Sequence, residues 1–184
     1  MPPQQGTNGL GGKLVEDIMV PLEEYPCISE TLTLLDAITE IQVQIRVRGQ
    51  TTLPRVALVF DETLTELLGM LRRRDIMRGL EPEFLGRGSP DYRQKLFSIA
   101  IDPNLAELPY EKIVAQVRAR AKRLVREFMI PIRATITHDD HIMKAIYEMV
   151  DQNVSLLPVL KDDDVVGVVR SVDVLNEIAL ILSP

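Results

Sequence analysis

Two short stretches carry side chains able to do chemistry together. One is Gly69-Met70-Leu71-Arg72-Arg73-Arg74-Asp75, the other Gly167-Val168-Val169-Arg170-Ser171-Val172-Asp173, each a Gly-x-x-Arg-x-x-Asp sequence. Each sits where an apolar strand gives way to a helical pattern. Backbone N–H groups at a helix start favour an anion, and an arginine added there offers a bidentate grip on phosphate. An ionised aspartate only accepts hydrogen bonds, which suits a ribose diol. Phosphate-seeking arginine beside diol-seeking aspartate is a nucleotide grip. The competing explanation is electrostatic: Asp75 and Asp173 offset neighbouring arginines and favour the helix dipole.

The elements that must position these turns also occur twice. Val15-Glu16-Asp17-Ile18-Met19-Val20-Pro21 opens one half and Val125-Arg126-Glu127-Phe128-Met129-Ile130-Pro131 the other. An apolar helical stripe follows each, Leu34, Ile38, Ile41 and Ile45 in the first and Ile142, Ala145, Ile146 and Met149 in the second. Thr31 or Thr33 is the candidate cap of the first helix, and Asp139 or Asp140 of the second. A Leu-Pro step, Leu53-Pro54 or Leu157-Pro158, leads towards strands. Val56–Phe60 and 67–71 are the strands of the first half. Val159-Leu160 and 165–169 form a hairpin about the acidic turn 161–164. The last helix carries Val174, Leu175, Ile178, Ala179 and Leu182 along one side. The expected fold is a mixed α+β (α/β) one: two β-α-β-β-α units packed as a pseudo-twofold pair. Residues 1–14 read as a flexible tail, 15–80 as the first repeat, 81–124 as a helical insert and 125–184 as the second repeat. Within the insert, Ser89-Pro90 signals a helix start, with Leu96, Phe97 and Ala100 as a short apolar face before Pro103 and Pro109. A second insert helix from about Tyr110 has Ile113, Val117, Ala121 and Leu124 on one side and Arg118, Arg120, Lys122 and Arg123 on the other.

Composition narrows the function classes. The chain has 184 residues, 46% of them apolar, a net charge of −6, and no Trp. Its core must come from aliphatic residues. The acidic balance argues against a general nucleic-acid binder, which needs a basic footprint. One cysteine, Cys27, excludes an internal disulfide and fits a reducing, cytoplasmic setting. No apolar run is long enough to span a bilayer, and the N-terminus lacks the pattern of a secretory signal. His138-Asp139-Asp140-His141 holds both histidines, but a helix start explains it better than a metal site. Cys27 has no histidine placed beside it and reads as an inert thiol. The chain lacks a Walker A lysine motif, a dinucleotide fingerprint and a nucleophile elbow.

The Met-x-Pro openings, the helices with Ala37 and Ala145 in their stripes, the Leu-Pro steps and the two Gly-x-x-Arg-x-x-Asp turns resemble a tandem pair of cystathionine-β-synthase (CBS) domains, a Bateman module. The resemblance covers about Val15–Leu80 and Val125–Leu182. It implies a stand-alone regulatory module, not an enzyme, needing no obligatory cofactor. Such a module would bind AMP, ADP, ATP or S-adenosylmethionine in clefts between the repeats, form a homodimer and act on a separate protein target. Asp75 and Asp173 would hold ribose, with Arg72, Arg73, Arg170 and Ser171 near phosphate. Pro54, Leu157 and Pro158, and Ile132 and Thr135 after Pro131, would line the adenine pockets. The chain departs from the family at one position. Where relatives carry Thr or Ser, it has Arg72 and Arg170, and only the second turn has a hydroxyl next door, on Ser171. The alternative implied by that departure is a ligand-free dimerisation module with vestigial pockets.

Overall fold

The computed structural model describes residues 12–49, 53–82 and 110–183. Most of the expected tail, the Ser89-Pro90 helix start, the apolar trio Leu96, Phe97 and Ala100, and Pro103 and Pro109 lie outside the described residues. Among the described residues the order is β1 (Val20–Pro21), β2 (Cys27–Ser29), α1 (Leu34–Val47), β3 (Val56–Phe60), β4 (Leu67–Arg72), α2 (Arg73–Leu80), α3 (Tyr110–Ala121), β5 (Ile130–Pro131), β6 (Ile136–Thr137), α4 (Ile142–Asp151), β7 (Leu156–Lys161), β8 (Asp164–Arg170) and α5 (Ser171–Leu182). The mixed α/β class is as the sequence implies.

The chain divides into two compact units, and the division does not follow the order of the repeats. One unit, the first, is Ile28–Ile130. The other, the second, combines residues up to Cys27 with those from Pro131 onward. In the second unit the sheet runs β1-β8-β7-β6, with β1 antiparallel to β8 through Val20↔Val168 and Pro21↔Gly167. The sheet β2-β3-β4-β5 belongs to the first half's hairpin. Each opening strand therefore completes the sheet of the other repeat's hairpin. Backbone bonds fix the exchange. In the second unit Val15 N–H donates to Asp140 O at 2.8 Å, and Ile142 N–H, the first of α4, donates to Lys13 O at 3.1 Å. In the first unit Val125 N–H donates to Leu32 O at 2.9 Å, and Leu34 N–H, the first of α1, donates to Arg123 O at 2.8 Å. The first N–H of α1 and of α4, which has no intrahelical acceptor, is thus satisfied by a carbonyl just ahead of the other repeat's opening segment.

Glycine makes that approach possible. A Cβ on Gly167 would stand 2.5 Å from Val20 O, and one on Gly69 would stand 2.6 Å from Ile130 O. Backbone packing alone therefore requires glycine as the first residue of the Gly-x-x-Arg-x-x-Asp turn.

The two cores use equivalent positions. Val125, Ile28, Ala37, Ile41, Ala57, Val59 and Leu71 fill the first, and Val15, Ile136, Ala145, Met149, Leu157, Val159 and Val169 the second. The register pairs Ala57 with Leu71 and Leu157 with Val169. The two Leu-Pro steps are consequently not equivalent. Leu157-Pro158 lies inside β7, opposite Val169 and Val168, whereas Leu53-Pro54 precedes β3. The second hairpin closes through Asp162 and Asp163, both with positive φ (51° and 69°), as a two-residue hairpin turn of matching twist requires.

Other local expectations divide. Thr33, not Thr31, caps α1, accepting from Asp36 N–H at 3.1 Å. Gly49, just past that helix, has φ 70°. Neither Asp139 nor Asp140 caps α4. His141 does, its Nδ1 accepting from Met143 N–H at 3.2 Å. Asp140 is committed instead to Thr137 N–H and Oγ1 and to Lys144 Nζ. The apolar side of α5 is wider than the sheet can cover, so Val174 is buried while Leu175, Ala179 and Leu182 are exposed. α3 packs beside α2 in the first unit, with Ala121 buried and Ile113, Val117 and Leu124 half-buried, while Arg118 and Lys122 face solvent.

Candidate functional site

Each Gly-x-x-Arg-x-x-Asp turn is the junction of the second hairpin strand with the helix that follows. Arg72 and Arg170 are the N-cap residues of α2 and α5, both in extended backbone, and Asp75 and Asp173 are the third helical residues. That spacing turns the aspartate back onto the cap. Asp75 Oδ2 accepts from Arg72 N–H at 3.3 Å, and Asp173 Oδ2 from Arg170 N–H at 3.2 Å. This is one half of a capping box. It also places a carboxylate in the first turn, where the helix dipole favours it.

The arginine side chain then closes on the same carboxylate. Arg170 Nε donates to Asp173 Oδ2 at 2.6 Å and Nη2 to Oδ1 at 2.5 Å. Arg72 repeats the arrangement on Asp75, at 2.6 Å from Nε to Oδ2 and 2.9 Å from Nη2 to Oδ1. Both are fork-on-carboxylate pairs, the strong form of the interaction. The Asp173 carboxylate holds the Arg170 guanidinium above its ordinary range, chiefly through that hydrogen bonding. By residue type, arginine suits phosphate and aspartate suits a diol. In the folded protein each occupies the other.

The two turns differ in burial and surroundings. The Asp75 side chain is 2% exposed, with a second guanidinium, that of Arg78, 3.9 Å from its Oδ1. The Asp173 side chain is 15% exposed, and Arg170 is 41% exposed against 28% for Arg72. Tyr25, which sequence reasoning passed over, is buried in the second unit, and its hydroxyl is pushed well above the ordinary phenol range by burial. The charges of Arg170 and Asp173 also act on it. The 22–24 turn that precedes it packs on β8. An aromatic at a Tyr-Pro step in a chain with only 4% aromatics was the available signal.

The remaining candidates disperse. Arg73 N–H is spent on Arg55 O at 3.1 Å and Ser171 N–H on Ser155 O at 2.9 Å, so the first amide of each helix is not available to an anion. Pro54 and Arg73 line an apolar hollow of the first unit with Ile38, Ile41, Leu71 and Ile76, and Arg72 and Asp75 do not line it. Leu157 is fully buried in the second core and Pro158 is buried within β7. Ile132 is half-buried and Thr135 exposed. The histidines diverge: His138 Nδ1 lies 3.2 Å from Glu16 Oε2, while His141 caps α4. Among the described residues no group of three or more His, Cys, Asp or Glu is placed to hold a metal. No helix among them is long and apolar enough to cross a membrane.

Comparison with known proteins agrees with this architecture. The family model for the CBS domain matches residues 15–82 and 125–180. The chain belongs to the CBS-domain family. Among solved structures, CBSX2 in complex with AMP aligns over 94% of this chain and 100% of its own, with 17% identity and a TM-score of 0.58. CBSX2 is a CBS-pair protein of Arabidopsis thaliana. The CBS domain of a bacterial CNNM/CorC family Mg2+ transporter in complex with ATP aligns over 92% of this chain and 89% of its own, with 16% identity and a TM-score of 0.58. The CBS domain of a membrane protein from Sphaerobacter thermophilus aligns over 89% and 86%, with 20% identity and a TM-score of 0.58. Among curated proteins, none shows significant similarity to this chain.

Proposed function

We propose that this chain is a cytoplasmic regulatory module that binds an adenine nucleotide at the Arg170–Asp173 turn and signals to a separate protein target. The observation that carries the reading is the duplicated strand-to-helix turn with an arginine and an aspartate in one hydrogen-bonded pair. It occurs in a chain of the CBS-domain family. Two structures of similar fold were solved with AMP and with ATP. The second turn is the better candidate, because its aspartate is more open and its arginine freer to move. Regulation follows from differential affinity: a nucleotide that favours one arrangement of the protein shifts the population towards it. A coupling of about 1–3 kcal/mol suffices for a useful switch. The reading assigns no catalytic step to the chain.

The assembly we infer is a homodimer. Exposed apolar side chains recur at helical spacing on α4 (Met143, Tyr147, Val150) and on α5 (Val172, Leu175, Leu182), an unusual density for surface left in water. Sedimentation equilibrium of the protein and of its Leu175→Glu variant tests this. A monomeric wild type at micromolar concentration sinks the dimer.

A second reading has its own observation. Both carboxylates are already satisfied by arginine, as expected of a dimerisation module whose pockets no longer bind a ligand. Thermal unfolding with AMP, ADP, ATP and S-adenosylmethionine decides between the two. A ligand at 100 times its Kd raises stability by about 2.7 kcal/mol. Stabilisation by a nucleotide, lost in Asp173→Ala, supports the sensor. No shift with any ligand at millimolar concentration leaves the interaction module.

A further inference from the structure

We propose that the Arg170–Asp173 pair is a charge-selective latch, through which the site admits anionic adenosyl ligands and turns away neutral and cationic ones. The inference rests on the nucleotide reading of this turn. Asp173 Oδ1 takes the Nη2 bond of Arg170, and Oδ2 takes both the Nε and the backbone N–H bonds. A carboxylate has about four acceptor positions, and the edge that would hold a diol in two parallel bonds is the edge the guanidinium fills. A ribose therefore reaches Asp173 only after Arg170 has left.

The cost of that departure depends on the ligand. Adenosine replaces two charge-assisted bonds with two bonds from neutral hydroxyls. It also leaves the guanidinium with solvent in place of its carboxylate partner. Such an exchange is a net loss, because the guanidinium–carboxylate fork joins two opposite charges, whereas hydroxyls on the carboxylate leave the cation unpaired. A phosphate gives the guanidinium a new acceptor of the same fork geometry. Arginine moves from carboxylate to phosphate, aspartate from guanidinium to diol, and the number of strong bonds is preserved. S-adenosylmethionine offers Arg170 only its methionine carboxylate, which lies beside its own ammonium and on the arm of a sulfonium, so pairing there brings two cations towards the released arginine. The Asp75 turn is latched harder, since its carboxylate is almost wholly buried and Arg78 adds a second cation.

Calorimetric titration of the full chain with AMP, adenosine and S-adenosylmethionine tests the latch in the wild type, Arg170→Ala and Arg170→Thr. The threonine variant places a favourable residue at the N-cap of α5, which keeps the test open where the alanine variant fails to fold. Wild type should bind AMP about tenfold or more tighter than adenosine, the scale of one charge-assisted hydrogen bond. Removing the guanidinium should tighten adenosine by up to about fivefold, by freeing Asp173, the scale of a half-exposed ion pair. Adding Asp173→Asn to either variant should abolish that gain. If adenosine stays at its wild-type affinity in both variants while AMP still binds, the latch is overturned and the nucleotide site stands. If AMP fails to bind the wild type, the site and the latch fall together.

Discussion

Replacing Gly167 by alanine tests the exchange of opening strands on which the second turn depends. Alanine in a strand normally stabilises where the backbone allows it, by about 0.4–1 kcal/mol, through the unfolded chain. Gly167 lies within β8 and its φ is not in the left-handed region, so that gain applies. Against it, the new methyl would stand 2.5 Å from Val20 O and 3.3 Å from Met19 Sδ. The sulfur sits on a flexible side chain, but the oxygen is backbone in β1 and can retreat only if the strand moves away from β8. Overpacking of this kind costs about 1–3 kcal/mol, and the weakened ladder bond adds about 1 kcal/mol. The expected net loss is about 1–3.5 kcal/mol, taking the unfolded-state gain into account. At about 2–4 °C per kcal/mol for a chain of this size, Tm should fall by roughly 2–14 °C. Urea unfolding of wild type and variant measures the free energy directly. Tyr25 supplies a local readout, because it follows β1 and its hydroxyl is held above the ordinary phenol range by burial. If β1 is displaced, a tyrosine in the variant should ionise at lower pH in an ultraviolet titration. A Gly167→Ala protein as stable as wild type or more so, with an unchanged tyrosine titration, refutes the claim that this glycine exists to let β1 approach.

Asp75→Ala should destabilise more than Asp173→Ala, by about 1–3 kcal/mol against less than about 1 kcal/mol, because it strands Arg72 beside a nearly closed site whereas Arg170 can turn to solvent; chemical denaturation of the two variants gives the order. Thr33→Ala should cost about 1 kcal/mol by removing the α1 cap, and no more, since the Leu34 N–H keeps its bond to Arg123 O. Asp61 is held below the usual carboxylate range first by the Thr63 hydroxyl and then by backbone N–H groups of its turn, and Glu127 is lowered first by Arg123. For groups whose folded value is depressed, the added stability is complete above the unfolded pKa of about 4 and is lost as pH falls through the folded value. Thermal melts should therefore decline below about pH 4, and Asp61→Asn should make that decline shallower; an equal acid response in wild type and variant contradicts the assignment.

Much of the fold was legible because it rests on local physics. The stripe Leu34, Ile38, Ile41 and Ile45 shares a period only a helix has, and three of its residues are buried while Ile38 is half-buried. A strand followed by Arg-x-x-Asp can fold the aspartate back on the cap because residues three apart in a first helical turn are neighbours. The repeated openings and turns carried the family. Other features depend on long-range contacts and left no local mark. Asp140 and His141 are both plausible caps in sequence, and only the demands of Thr137 and Lys144 on the aspartate decide between them. Leu175 and Leu182 look like core, and are exposed because the face of α5 that meets the sheet is filled by Val174.

By itself, then, the sequence determined the duplicated α/β unit, the aliphatic cores and the two Arg-x-x-Asp turns, all properties of neighbours within one or two helical turns of chain. Tertiary structure alone decided that each opening strand completes the other repeat's sheet, that the 22–24 turn packs on β8 and Tyr25 after it is buried, and that one aspartate is sealed while its counterpart keeps some access to water. The physical reason is the range of the interactions. Capping and periodicity act over a few residues, whereas strand pairing and burial join residues more than a hundred positions apart and are fixed only when the whole unit has closed.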